Sequence, residues 1–215
     1  MVTDVYERCV VGVGAVAPED VVRVAREGTL VELSAEACQA ISKSRAVVAE
    51  MAASDTPVYG VSTGFGALAT RHIEPGLRTQ LQKSLIRSHA AGAGPRVENE
   101  VVRALMLLRL STIASGHTGV RLETAEAYAS MLNAGLTPIV REYGSLGCSG
   151  DLAPLAHCAL AVMGEGEVDD HGVVRPAGEA LTSYGLAPIE LAEKEGLALI
   201  NGTDGMLGML VLAVT

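Results

Sequence analysis

The stretch "GSLGCSGDLAPLAH", residues 144–157, decides how this sequence is read. Ser149 stands between Cys148 and Gly150 in a glycine-rich turn, and an acid and an apolar, helix-like run follow. Three chemistries suit a serine so placed. A nucleophile elbow, G-x-S-x-G, needs glycine at 151, where Asp151 stands. A serine hydrolase also needs a base within reach, and His157 lies two turns along the same predicted helix. The plainer alternative is a helix N-cap, supplied by Ser149 or Asp151. The third uses the backbone. The Gly150 amide nitrogen attacks the Cys148 carbonyl carbon and closes a five-membered ring. Gly150 suits this because it lacks a Cβ and lets the chain bend sharply. Loss of water, and then of the Ser149 hydroxyl, leaves an exocyclic methylene, an electrophile that no ordinary side chain supplies. The Cys148 side chain stays outside the ring.

The flanking sequence predicts a mainly α chain with a few short strands near the N-terminus. "CVVGVGAVA" (9–17) is β-branched and strand-like. A helix follows, with Pro18 near its start and Gly28 after its end. "SAEACQAISKSRAVVAEMAAS" (34–54) is a helix capped by Ser34. Residues 56–70 form an irregular loop around Tyr59 and Phe65. Further helices are predicted over 77–94, 98–116, 121–135 and 149–166. Residues 167–179 look like a polar, exposed turn at Gly172, and 183–202 lead back to helix and to a break at Asn201.

Composition narrows the function classes. The 215 residues are 49% hydrophobic and 19% charged, which describes a packed chain and not a disordered one. Aromatics are 3% and Trp is absent, so Ala, Val, Leu and Gly fill the core. The net charge is −9 without a Lys/Arg run, which argues against a nucleic-acid partner. The four cysteines form no CxxC and no zinc-like set with the five histidines, so no metal is expected. Gly12-x-Gly14-x-x-Ala17 resembles a dinucleotide fingerprint, but no alternating β-α pattern follows it. No secretory signal is read at the start and no membrane-spanning run elsewhere. A reduced cytoplasm is the expected location. The closing "GMLGMLVLAVT" (205–215) is an apolar, helix-like run without a cap, which suggests a fragment or one piece of a larger chain.

Four motifs in order carry a resemblance. They are "YGVSTGFG" (59–66), "SLIRSHAAG" (84–92), "GSLGCSGDLAPLAH" (144–157) and "EGLALINGT" (195–203). Together they resemble the histidine and aromatic amino acid ammonia-lyase family. The resemblance implies the helical fumarase/aspartase-like fold, with residues 1–215 as its N-terminal domain running into the start of a central helical bundle. It also implies a 4-methylidene-imidazol-5-one (MIO) group formed autocatalytically from Cys148-Ser149-Gly150. The implied activity is elimination of ammonia from L-histidine to give trans-urocanate in histidine catabolism, with "SHA" around His89 favouring histidine as substrate. Tyr59 matches the base that removes the β-proton. A free tyrosine titrates near 10, so the family's inward-pointing helix N-termini supply a field for it. His89 matches a residue that meets the substrate side chain, and Asn201 one beside the MIO oxygen and the amine. His72, His117 and His171 receive no role, and His157 a structural one. Family members are tetramers with dihedral symmetry, so a homotetramer is implied, with residues beyond this sequence completing each site. These 215 residues alone are then expected to be inactive. Another aromatic lyase or an MIO aminomutase fits the same motifs, and a non-catalytic helical assembly module is the alternative of another class. The chain departs from the family pattern in two places. Cys148 replaces the usual alanine, and Asp204 stands where glutamine is common.

Overall fold

The computed structural model describes residues 8–215. The seven residues that open the stretch read as lacking a signal lie outside the described residues. The fold is mainly α, as the apolar periodicity requires. Helix α1 (Pro18–Val22) widens into a π-helical turn over Arg23–Glu27, closed by Gly28. Helix α2 (Ala35–Ala53) starts where the sequence places it, because Ser34 Oγ accepts a hydrogen bond from the Ala37 N–H at 3.0 Å. After an irregular loop come α3 (Pro75–His89), α4 (Asn99–Ala114) and α5 (Leu122–Asn133). Then follow α6 (Leu152–Val162), α7 (Ala177–Ser183), α8 (Glu195–Ile200) and α9 (Asp204–Val214).

Helix α4 is the axis of the core. An unbroken buried run from Ala104 to Leu110 turns apolar surface to every side, and α5 and α9 pack along it. A helix buried all round needs neighbours all round. Small buried side chains of α6 (Ala156, Cys158, Ala159 and Ala161), which packs on α3, α5 and α8, stand in for the missing aromatics.

The strands depart from the sequence expectation. Only Cys9–Val11 of the 9–17 segment is a strand (β1), and it pairs in parallel with β2 (Val31–Leu33). The rest lie further along. β3 (Ala93–Arg96) pairs antiparallel with β5 (Arg141–Tyr143). β4 (Leu136–Pro138), β6 (Glu167–Asp170) and β7 (Val173–Pro176) form a three-stranded sheet in that order. The segment read as an exposed turn is therefore the β6–β7 hairpin running into α7. His171 and Gly172 form its two-residue turn, with φ of 51° and 92°, as a type I′ connection demands. Strands of three or four residues are too short for alternation to show.

After α7 ends at Ser183, the 183–202 segment leads back to helix at Glu195 and breaks at Asn201, as expected. The segment Glu195–Val214, with a mean hydropathy of 1.7 over an 18-residue window, is long and apolar enough to cross a membrane by length and composition alone, a test that the core helix of a soluble protein also passes. In the fold it bends at Asn201–Thr203, and its two acids are buried against arginines.

One of those acids, Glu195, is fully buried. It accepts hydrogen bonds from the Arg121 N–H (2.8 Å), Thr124 Oγ1 (2.7 Å), the Ala192 N–H (2.7 Å) and Arg121 Nη2 (2.8 Å). Burial pushes its pKa up, but the Arg121, Ala192 and Thr124 donors outweigh burial and hold it below the usual carboxylate range. Replacing Glu195 with Ala strands those donors and should cost about 3 kcal/mol of stability. Glu195→Gln keeps an acceptor and should cost less. Denaturant unfolding of the two variants checks the order.

Candidate active site

The triad is shaped by the residue after it. The Asp151 carboxylate is buried and reaches back along the chain. It accepts from Ser145 Oγ at 2.6 Å and from the Leu146 N–H at 2.8 Å. Ser145 Oγ in turn accepts from the Gly147 N–H at 3.2 Å. These bonds draw residue 151 against residues 145 and 146, so the chain between them bulges outward. Leu146 is 80% exposed, and Gly147, Cys148, Ser149 and Gly150 are all exposed. Gly150 has φ +84°, a conformation that favours glycine, while a Cβ there would meet nothing. Its glycine is required by the turn and not by crowding.

Of the two N-cap candidates, Asp151 holds the position, without a capping bond. Neither Ser149 nor Asp151 caps α6 by side chain, and the helix starts at Leu152 instead of at residue 149. Asp151 occupies the cap position, but its carboxylate is spent on the loop. The triad therefore sits immediately ahead of the positive end of an eleven-residue helix.

His157, on the same helix, is structural. Its Nε2 accepts from the Gly92 N–H at 3.0 Å, which ties the end of α3 to α6. His89 closes α3. Its Nδ1 lies 2.8 Å from the Leu85 carbonyl oxygen. A carbonyl only accepts, so Nδ1 carries the proton and Nε2 is left as an acceptor in the neutral ring. Tyr59 is half exposed. Its ring meets Phe65 edge-on at 6.0 Å, and its hydroxyl accepts from the Gly66 N–H at 3.3 Å. Asn201 ends α8 with an exposed side chain.

These residues stand on adjoining elements. Helices α3, α6 and α8 pack on one another. Gln82 Oε1 accepts from the Gly196 N–H at 2.9 Å, joining α3 to α8. Leu197 of α8 lies against Gly60, beside Tyr59, and Gly205 of α9 faces Pro154 in the first turn of α6. Among the described residues no hydrogen bond joins any two of Tyr59, His89, Ser149 and Asn201. A cavity of about 200 Å³ lies between α4, α6 and α9 and touches the loop through Ser145 and Asp151, but none of the predicted site residues lines it.

Sequence reasoning missed two groups. Asp151 was read as a possible cap, although its spacing to Ser145 signals a closed loop as well. Arg109 was read only as part of a buried helix. Asp204, noted as a departure in the inner pocket, is buried in an ion pair with Arg109. Of the cysteines, Cys9 and Cys158 are buried, and burial pushes their thiols up to about 11 and about 12. Cys148 is exposed. Among the described residues no three His, Cys, Asp or Glu side chains are grouped to hold a metal.

The profile of aromatic amino acid lyases matches residues 16–215. This chain belongs to the aromatic amino acid lyase family. It is 67% identical over 206 residues to a histidine ammonia-lyase of Streptomyces griseus, covering 95% of this chain and 40% of that protein. It is 47% identical to the histidine ammonia-lyase of Deinococcus radiodurans, covering 91% and 37%. Among solved structures, a tyrosine aminomutase from Streptomyces globisporus superposes with a TM-score of 0.91 at 40% identity, covering 97% of this chain and 39% of the other. The histidine ammonia-lyase of Trypanosoma cruzi gives 0.89 at 37%, covering 97% and 40%. The chain thus spans about 40% of the length of these aromatic amino acid lyase relatives.

The His157–Gly92 bond gives this member of the family a pH signature. Burial lowers the His157 pKa, and Arg141 lowers it further. The folded imidazole stays neutral while an unfolded one takes up a proton near 6.5. Stability should therefore fall as pH drops below about 6.5, before the carboxylates titrate. His157→Gln keeps an acceptor for Gly92 and cannot titrate. Its denaturation midpoint should be flatter than wild type between about pH 6.5 and 5, and equal slopes would contradict the assignment.

Proposed function

We propose that the protein carrying this chain is a carbon–nitrogen lyase that eliminates ammonia from L-histidine to give trans-urocanate. The observation that carries this reading is the exposed Cys148-Ser149-Gly150 turn, braced by Asp151 ahead of α6, with Tyr59, His89 and Asn201 on adjoining elements. High identity to histidine ammonia-lyases supports the choice of substrate.

The residues present fit an MIO group. Gly150 already turns in the left-handed region, the Ser149 hydroxyl is exposed, and the Cys148 side chain has open space. Once formed, the group supplies an electrophilic methylene toward the amino acid's nitrogen. The other residues bind substrate and move protons. Tyr59, exposed on its loop, takes the β-proton, which is scarcely acidic and needs a base held close. His89 offers Nε2 as an acceptor, complementary to the N–H of an imidazole side chain. Asn201 donates and accepts from one amide, which suits a departing amine. The whole protein acts in the cytoplasm as a homotetramer, without nucleic acid or membrane. The exposed Leu207, Leu210 and Val214 along α9 suit burial in such an assembly.

A second reading, an aminomutase that returns the amine to the β-carbon, is favoured by the likeness to the tyrosine aminomutase structure. Product analysis separates the two. With histidine, phenylalanine and tyrosine assayed in parallel on the full-length protein, histidine should be preferred and urocanate released. A clear preference for tyrosine, or a β-amino acid product, overturns the histidine lyase reading. Ser149→Ala removes the leaving hydroxyl and should lower activity by orders of magnitude in a folded protein. Cys148→Ala should be nearly silent. Equal damage from the two would call for a thiol mechanism.

A further inference from the structure

The bend between α8 and α9 is built around one buried cation. Arg109, in the middle of α4, is 1% exposed. Its Nη1 donates to the carbonyls of Ala198 at 3.2 Å and Asn201 at 3.3 Å. Its Nη2 pairs with Asp204, whose other carboxylate oxygen accepts from Thr112 Oγ1 at 3.2 Å. One guanidinium thus binds the last carbonyls of α8 and the first residue of α9. A cation at a helix C-terminus and an anion at an N-terminus each oppose the local helix dipole, so the two ends are held by favourable charges. Gly202 lies between them. A Cβ there would come within 1.7 Å of Arg109 Nη2 and 2.4 Å of Asp204 Oδ2. The turn therefore closes directly over the ion pair, and no side chain fits between.

We propose that Arg109 and Asp204 are positioning residues that fix the Asn201 bend, and so set where the Asn201 amide stands toward the reacting amine. Its catalytic half rests on the lyase reading above. Asp204 in place of glutamine is then part of the clamp. An anion serves here because the partner is a buried guanidinium that needs its charge matched. The position of the bend beside α6 follows from the same contacts, since Gly205 faces Pro154 one turn after the triad.

The test uses the full-length protein carrying this chain. Arg109→Met alone strands the Asp204 carboxylate and is expected to fold poorly. The double variant Arg109→Met/Asp204→Leu removes both charges, so no buried ion is left unmatched and folding is retained. Asp204→Glu keeps a carboxylate opposite the Arg109 guanidinium and serves as the conservative rescue. Three quantities are read: the mass of the 148–150 peptide, kcat and KM for histidine, and amide hydrogen exchange over residues 199–206. In the double variant the peptide should still lose two waters. Its kcat should fall about a hundredfold, the scale set by a misplacement of about 1 Å, with KM nearly unchanged and faster exchange at the bend. Asp204→Glu should recover most of kcat. A double variant with wild-type kcat and wild-type exchange overturns the proposal. Loss of kcat without faster exchange also overturns it, because the bend would not be what moved. If the wild type releases no ammonia from any amino acid, the lyase reading fails, and the exchange measurement alone decides whether the pair fixes the bend.

Discussion

The site depends on one carboxylate spent on a loop. Asp151 stands at the N-cap of α6, where its carboxylate could have accepted from the first free N–H groups of the helix. Instead it binds Ser145 and Leu146, and the segment between is pushed out as an exposed turn. A buried carboxylate needs matched donors, and these come from its own loop, so the geometry is locally closed. Placing the triad outside the core leaves the Ser149 hydroxyl free to depart. It also leaves the Gly150 nitrogen uncommitted to a helix.

Around this loop, distant segments are joined by buried polar groups. Arg121 and Thr124 hold Glu195 at the start of α8, Arg109 holds the bend after it, and Gln82 and His157 tie α3 to α8 and α6. A core of small aliphatic side chains buries area, but many of its packings are nearly equivalent. Charged and directional contacts between fixed partners select one. The elements bearing His89, Asn201 and the triad are related by such contacts, and the Tyr59 loop meets α8 where Leu197 lies against Gly60.

Much of this was legible in the sequence. Helices α2, α4 and α5 show their apolar period and stops, and the loop around Tyr59 shows its glycines. The motifs containing Tyr59, His89, Ser149 and Asn201 were visible as motifs. What was not legible depends on pairing. The β4–β6–β7 sheet is made of strands too short to alternate, and only its two-residue turn signals it. The Arg109–Asp204 clamp joins residues 95 apart, so neither position announces the other. Asp151 was visible as an acid after a glycine, but a cap and a brace look alike until the direction of the side chain is known.

The central claim is that the braced turn is the precursor of an electrophile. The most direct measurement is the mass of the peptide spanning residues 148–150 in the full-length protein, with Asp151→Ala beside wild type. Wild type should be lighter than its encoded mass by two waters. In the variant the turn is no longer drawn closed, and the unmodified peptide should accumulate. A wild-type peptide at its encoded mass, in protein that is folded and active, would contradict the account.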